Sequence, residues 1–253
     1  MIRASRTRRF WIRAPRILAS LIRVRRRWRA VGIGLLVLAA LSGMPRSQEA
    51  SGGSSASAAS VTFTLDFPQS KPAHYSISVD AAGNATYECK GTVADGAEEQ
   101  DYRAEFEVSA GNRVKIFNWA KQAGYFTGKI DSGNSKLAFT GAKQLSYRDG
   151  QRSNTARYNY SSLEPVRELT TLFQNMASTL EYGRRLTYFH RYQKLALDDE
   201  LKHMESQARS NDLSEIQGVA PILQEIVEDA SVINVVRARA RDLIQLGSRP
   251  AGH

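Results

Sequence analysis

From residue 61 the chain alternates apolar and polar positions with a period of two. Val61, Phe63, Leu65 and Phe67 are separated by Thr62, Thr64 and Asp66, which predicts a half-buried strand. Tyr75, Ile77 and Val79, the turn from Asp80 to Asn84, and then Ala85, Tyr87 and Cys89 predict a β-hairpin. Tyr102, Ala104, Phe106 and Val108 alternate with Arg103, Glu105 and Glu107, so the fourth strand belongs to a sheet covered on one face and wet on the other. Ser109 as N-cap and Gly124 as terminator bound a helix whose apolar side carries Ile116, Phe117, Trp119, Ala120 and Ala123. Two further strands follow, over Leu137 to Tyr147 and, past the Asp149-Gly150 turn, over Thr155 to Tyr160.

At Leu163 the apolar period changes to that of a helix. Val166, Leu169, Phe173, Met176 and Leu180 step by three and four, with Pro165 in the first turn. Gly183 breaks this register, which predicts a second helix from about Arg185 to Ser206 carrying Leu186, Phe189, Leu197, Leu201 and Met204. Asp212 and Glu215 have capping-box spacing and open a helical region restarted at Pro221; a last helix runs from about Ser231 to Leu246. The expected class is α+β: an antiparallel sheet of about six strands with one packed helix, residues 61–162, followed by an all-helical region, residues 163–247.

Charge changes the picture of the N-terminus rather than of this domain. The 253 residues carry a formal charge of +10, but residues 1–46 hold twelve arginines and no Asp, Glu or Lys. Removing those twelve from 35 basic residues leaves 23 against 25 acidic ones, so the body of the chain stands at −2 and a nucleic-acid partner is not expected. Ala30 to Gly43 is an uncharged apolar run of 14 residues, shorter than the roughly 20 of a membrane span and within the range of a signal-peptide core. Residues 1–43 therefore read as a basic leader with a signal peptide, cleaved near Ala40-Leu41-Ser42; the alternative is an uncleaved signal anchor that holds the domain at a membrane. Arg8-Arg9-Phe10 matches the twin-arginine export pattern, although the apolar run begins far downstream of it. Residues 44–60 are small and polar, a flexible linker, and residues 248–253 form a disordered tail. The expected location is periplasmic, extracellular or membrane-anchored outside the cytoplasm.

Tyr75-Ser-Ile-Ser-Val79, Gly83-Asn-Ala-Thr-Tyr87 and Gly124-Tyr-Phe126 occur in the order of a strand, a Gly-x-x-x-Tyr hairpin and a helix ending in Gly-Tyr-Phe. In this the stretch from 61 to about 180 resembles a family of exported bacterial domains of unknown function. The chain departs from that family in lacking its cysteines and in placing Ala73 where a proline would align. The resemblance implies an envelope domain without an established activity.

Candidate chemistry is sparse. Cys89 is the one cysteine, so no intramolecular disulfide forms, and its phase with apolar neighbours predicts a buried thiol. Glu200-Leu-Lys-His203 places Glu200 and His203 on one helix face, with His190 and Asp199 near in sequence, but a di-iron site needs a second such motif and further carboxylates. Lys194, Asp198 and Lys202 on the same helix suit ordinary ion pairs at a spacing of four. None of the four histidines has a Gly-x-Ser-x-Gly elbow to pair with, and the chain has no Walker loop or dinucleotide fingerprint. No catalytic residue, metal ligand or cofactor is expected. Arg184, Arg185, Tyr188, Arg191 and Tyr192, with Lys194, form a basic aromatic stretch of the kind favoured at protein interfaces. Alternatively the tyrosines cover a neighbouring element while the arginines stay in water. The leading expectation is a non-enzymatic exported envelope module that binds another protein. A small-ligand, lipid-like carrier and a hydrolase or metalloenzyme with a dispersed site are the alternatives.

Overall fold

A computed structural model describes residues 58–248. The leader, the apolar run, the linker up to residue 57 and the tail from 249 lie outside the described residues. Six strands, β1 (Ser60–Asp66), β2 (His74–Asp80), β3 (Asn84–Thr92), β4 (Glu99–Glu107), β5 (Ala142–Arg148) and β6 (Ser153–Tyr158), form one antiparallel sheet in the order β4-β3-β2-β1-β5-β6. Five helices complete the fold: α1 (Ala110–Gln122), α2 (Glu164–Tyr192), α3 (Leu197–Arg209), α4 (Ala220–Glu228) and α5 (Asn234–Gly247). Among them none is long and apolar enough to cross a membrane.

Alternation decides which face of the sheet is covered. Val61, Phe63, Ile77, Val79, Tyr87 and Leu145 point to one side and are fully buried. The opposite side is polar, with Thr86, Ser78, Thr62, Ser146 and Thr155 side by side across five strands. The β2–β3 turn is closed by Asp80, whose carboxylate accepts the backbone N–H groups of Gly83 and Asn84 at 2.8 Å each. Gly83 sits there at φ +102°, a conformation that a side chain would strain.

Helix α1, the expected packed helix, and α2 from the helical region both contact the covered face. Ser109 caps α1, which packs beside β1, and α2 lies against β2. The rings of Phe63 and Phe173 stack with centroids 5.6 Å apart. Both are fully buried, and truncating either to alanine is expected to cost about 3–5 kcal/mol. On its other sides α2 meets α3, α4 and the turn of residues 216–219. Sheet and helical region thus share one continuous core.

Several element boundaries differ from the sequence reading, each for a physical reason. The expected strand from Leu137 is only Ala142–Arg148, because Leu137 and Phe139 lie exposed in an irregular segment, with Phe139 edge-on to Phe67. Glu215 is no capping-box residue. It has φ +60° and turns its carboxylate back to the start of α1, accepting Ser109 N (3.0 Å), Ser109 Oγ (2.9 Å) and Asn112 Nδ2 (2.8 Å), as well as the Gln217 amide. The last helix begins at Asn234 instead of Ser231, after a turn held by Asp229.

Gly183 does not break a helix, since α2 runs unbroken through it to Tyr192 and the chain changes direction only at 193–196. A Cβ at residue 183 would lie 2.5 Å from Val219 Cγ1, so this glycine is where the 216–219 turn seats on α2. Replacing it with alanine gains about 1 kcal/mol of helix propensity but overpacks a rigid contact, which costs about 1–3 kcal/mol. Gly183→Ala should therefore lower stability. Val219→Ala in the same chain should recover much of that loss, with non-additivity of about 1 kcal/mol in urea unfolding.

Candidate functional site

In α2 the six residues Thr179, Leu180, Glu181, Tyr182, Gly183 and Arg184 are all buried. A helical turn takes 3.6 residues, so at this level the helix is surrounded on every side. Polar side chains there must find partners inside the protein. Thr179 Oγ1 donates to Asn175 O at 3.1 Å, while Glu181 and Arg184 reach toward β3.

Glu181 and Arg184 meet around the thiol of Cys89. Glu181 Oε1 accepts the Tyr87 hydroxyl at 2.8 Å and the Cys89 Sγ–H at 3.3 Å. Arg184 Nη1 donates to Cys89 Sγ at 3.3 Å and lies 3.6 Å from Glu181 Oε1; Nη2 donates to Gly91 O at 2.6 Å. The guanidinium also stands over the Tyr102 ring, 5.2 Å from its centroid. Burial, reinforced by the neighbouring Glu181 carboxylate, pushes the Cys89 thiol up to about 12 and raises the Tyr87 and Tyr102 phenols above their ordinary range. Cys89 is therefore a protonated hydrogen-bonding group, not a nucleophile. The cluster ties the sheet to α2 by charge-assisted bonds in a buried setting.

At the C-terminal end of α2 a second polar cluster fixes two turns side by side. Asp229 Oδ2 accepts His190 Nε2 (2.9 Å) and Lys194 Nζ (2.5 Å), and its Oδ1 accepts the Ser231 backbone N–H (2.8 Å) and hydroxyl (2.7 Å). Lys194 Nζ also donates to Ser231 Oγ at 2.6 Å, and Glu225 stands 3.9 Å from the other ring nitrogen of His190. Lys194 above all, then the Ser231 donors and His190, hold the Asp229 carboxyl well below the usual range. Beside this cluster Leu195 is 97% exposed, Tyr192 and Ile233 are 62% exposed each, and Val235 is exposed as well.

The residues singled out in the sequence separate accordingly. Arg184 belongs to the buried cluster, and Arg185 is half-buried, its Nε 2.6 Å from Glu200 Oε1 and its guanidinium over the Tyr182 ring. Neither forms part of an exposed patch. Tyr188 rests between Phe189 and Tyr192, whose centroids lie 5.8 and 5.1 Å away, while Arg191 and Tyr192 face outward with the guanidinium over the ring. Glu200 is committed to Arg185, His190 to Asp229, and His203 is exposed on α3, so these groups do not converge. Among the described residues no three of His, Cys, Asp and Glu lie where they could hold a metal ion. Lys202 pairs with Asp198 at the expected spacing of four (2.5 Å). Leu195 escaped the sequence reading, although an apolar residue directly after Gln193-Lys194, out of phase with Leu197, was a usable signal; Ile233 fits the apolar side of the last helix by its spacing, but that helix starts only at Asn234 and leaves Ile233 62% exposed. The partners of Glu181 are about ninety positions away and left no local trace.

Two measurements check this description. In the folded protein Cys89 should react with iodoacetamide at about pH 8 no faster than the chain unfolds globally, as read by mass spectrometry. Asp229 has a depressed folded-state value, so its contribution to stability is present above the unfolded value of about 3.9 and is lost as pH falls toward the lower folded value. Asp229→Asn should therefore lower the melting temperature at neutral pH, and the gap to the parent protein should narrow steadily below about pH 4.

No protein-family model, curated protein or solved structure is significantly similar to this chain, and the likeness of residues 61–180 to the exported domain family rests on its short motifs alone.

Proposed function

We propose that this chain is an exported, non-enzymatic module that binds another protein through the tip formed by the end of α2 and the turn before α5. The observation that carries the reading is the exposure of Leu195 (97%), Tyr192 and Ile233 (62% each) at the end of α2 and the turns that Asp229, Lys194 and Ser231 hydrogen-bond together. Apolar and aromatic side chains on a pre-ordered support lose little entropy on docking, which is how a small surface comes to dominate an interface. Arg191 lies exposed beside them, so the fitting partner offers an apolar pocket with carboxylates on its rim. The arginine-rich leader and the apolar run that follows it supply the support for export.

A photo-crosslinking residue at position 195 of the full chain, expressed in its own cells, tests this reading. One discrete adduct is expected. It should disappear when Tyr192→Ala and Ile233→Asp are introduced, and should be absent when the crosslinker sits at position 62 on the open face of the sheet. Equal crosslinking from positions 195 and 62 would remove the reading. Leu195→Ser should abolish the adduct while changing stability by no more than about 0.5 kcal/mol, since the side chain touches almost nothing in the folded chain.

A further inference from the structure

The sheet is open at both edges, since β4 pairs only with β3 and β6 only with β5. Bonded pairs alternate along an antiparallel ladder, so one bond in each ladder fixes where every backbone group points. Val108 N donates to Gly83 O, which continues the β3–β4 register. Gln100, Tyr102, Ala104 and Phe106 therefore bond toward β3, while Asp101, Arg103, Glu105 and Glu107 turn their N–H and C=O groups outward. Asp149 N donates to Arg152 O, and by the same alternation Ser153, Thr155 and Arg157 turn outward from β6. None of these outward groups has a partner among the described residues. Such edges are templates for a further strand.

The two edges fit each other. The antiparallel order makes β4 and β6 run in opposite directions. A second copy shifted sideways along the sheet thus sets its β6 antiparallel to β4, with the covered faces on the same side. In both strands the outward groups belong to the odd-numbered residues, whose side chains lie on the wet face, so ladder bonds and faces come into phase together. Charge is complementary as well. β4 carries Glu99, Asp101, Glu105 and Glu107 against Arg103, whereas residues 151–160 hold Arg152 and Arg157 and no Asp or Glu. Asp101 and Arg157 are both exposed, and neither is in an ion pair among the described residues. Two β4 edges brought together would instead set one acidic strand against another.

Only two registers keep all six residues of β6 opposite the nine of β4 with the wet faces together. One sets Arg157 against Arg103, whose guanidinium already serves Glu88 and Glu105. The other sets Arg157 against Asp101 and Thr155 against Arg103, and lays Ala156 beside the half-buried Tyr102 on the covered face. Opposite charges across two strands attract and like charges repel, which selects the second register.

We propose that β4 of one copy pairs antiparallel with β6 of the next, Asp101 opposite Arg157, so that the chain associates head to tail through its sheet. The contact is heterologous and continues from copy to copy. It uses none of the residues of the exposed tip and does not depend on the reading of that surface.

Directly opposite residues of a bonded antiparallel pair have Cα atoms about 5.5 Å apart, within reach of a disulfide. The full chain carrying Arg103→Cys and Thr155→Cys, oxidised with copper phenanthroline, should therefore give a ladder of dimers, trimers and larger species on non-reducing gels. Arg103→Cys alone should give none. Adding Arg157→Asp to the paired cysteines should reduce the ladder about tenfold, and adding Asp101→Arg to that variant should restore it. Both side chains are exposed, so the melting temperature should stay in place throughout. A ladder indifferent to Arg157→Asp, a dimer from Arg103→Cys alone, or no crosslinked species from the paired cysteines would each overturn the proposal and leave the edge charges as groups that keep copies apart.

Discussion

Helix α2 has to satisfy the sheet and the helical region at the same time, and the rest of the architecture follows from that constraint. Over its first four turns it behaves as an amphipathic helix, with Val166, Leu169, Phe173 and Met176 buried in the shared core and Phe173 stacked on Phe63 of β1. From Thr179 to Arg184 it is enclosed on all sides. The enclosure works because Gly183 has no side chain where Val219 approaches and because Glu181 and Arg184 find partners on β3. A side chain at 183 would push the 216–219 turn outward, and a lone charge at 181 or 184 would stand buried without its partner.

Burying a charged pair seldom improves stability over an apolar pair of the same size, whereas removing one member alone is costly. The Glu181–Arg184 arrangement is therefore better understood as fixing position. Arg184 reads the carbonyl of Gly91, and Glu181 reads the hydroxyl of Tyr87 and the thiol of Cys89, all on β3. A slip of α2 by one residue would separate these groups and leave two buried charges unpaired. Glu215 does the same work at the other end of the domain. Its carboxylate gathers Ser109, Asn112 and Gln217, so that α1 and the turn before α4 hold a common position.

The two polar clusters have opposite surroundings, and this separates their roles. Around Glu181 the groups are buried and the thiol is protonated. Around Asp229 they are near the surface, and their rigidity serves to present Leu195, Tyr192 and Ile233 to water. Exposed apolar side chains on an ordered turn bring nothing to the fold that holds them.

Period-two alternation determined the sheet and its wet face from the sequence alone, because a strand with one buried face must repeat every second residue. The change of period at Leu163 determined the helical region in the same way. Ser109, Gly124 and Pro165 marked helix ends through local backbone chemistry that needs no tertiary contact. What only the tertiary structure decided begins where a helix is buried on every side and its sequence loses its stripe. Gly183 read as a break because propensity counts a missing side chain as a cost, and only the approach of Val219 turns it into a requirement. Arg184 and Arg185 read as surface because charge next to aromatic residues usually is. Tyr87, Cys89 and Gly91, some ninety residues earlier, supply the partners that draw Arg184 inside, and contacts at that separation leave no mark on local pattern.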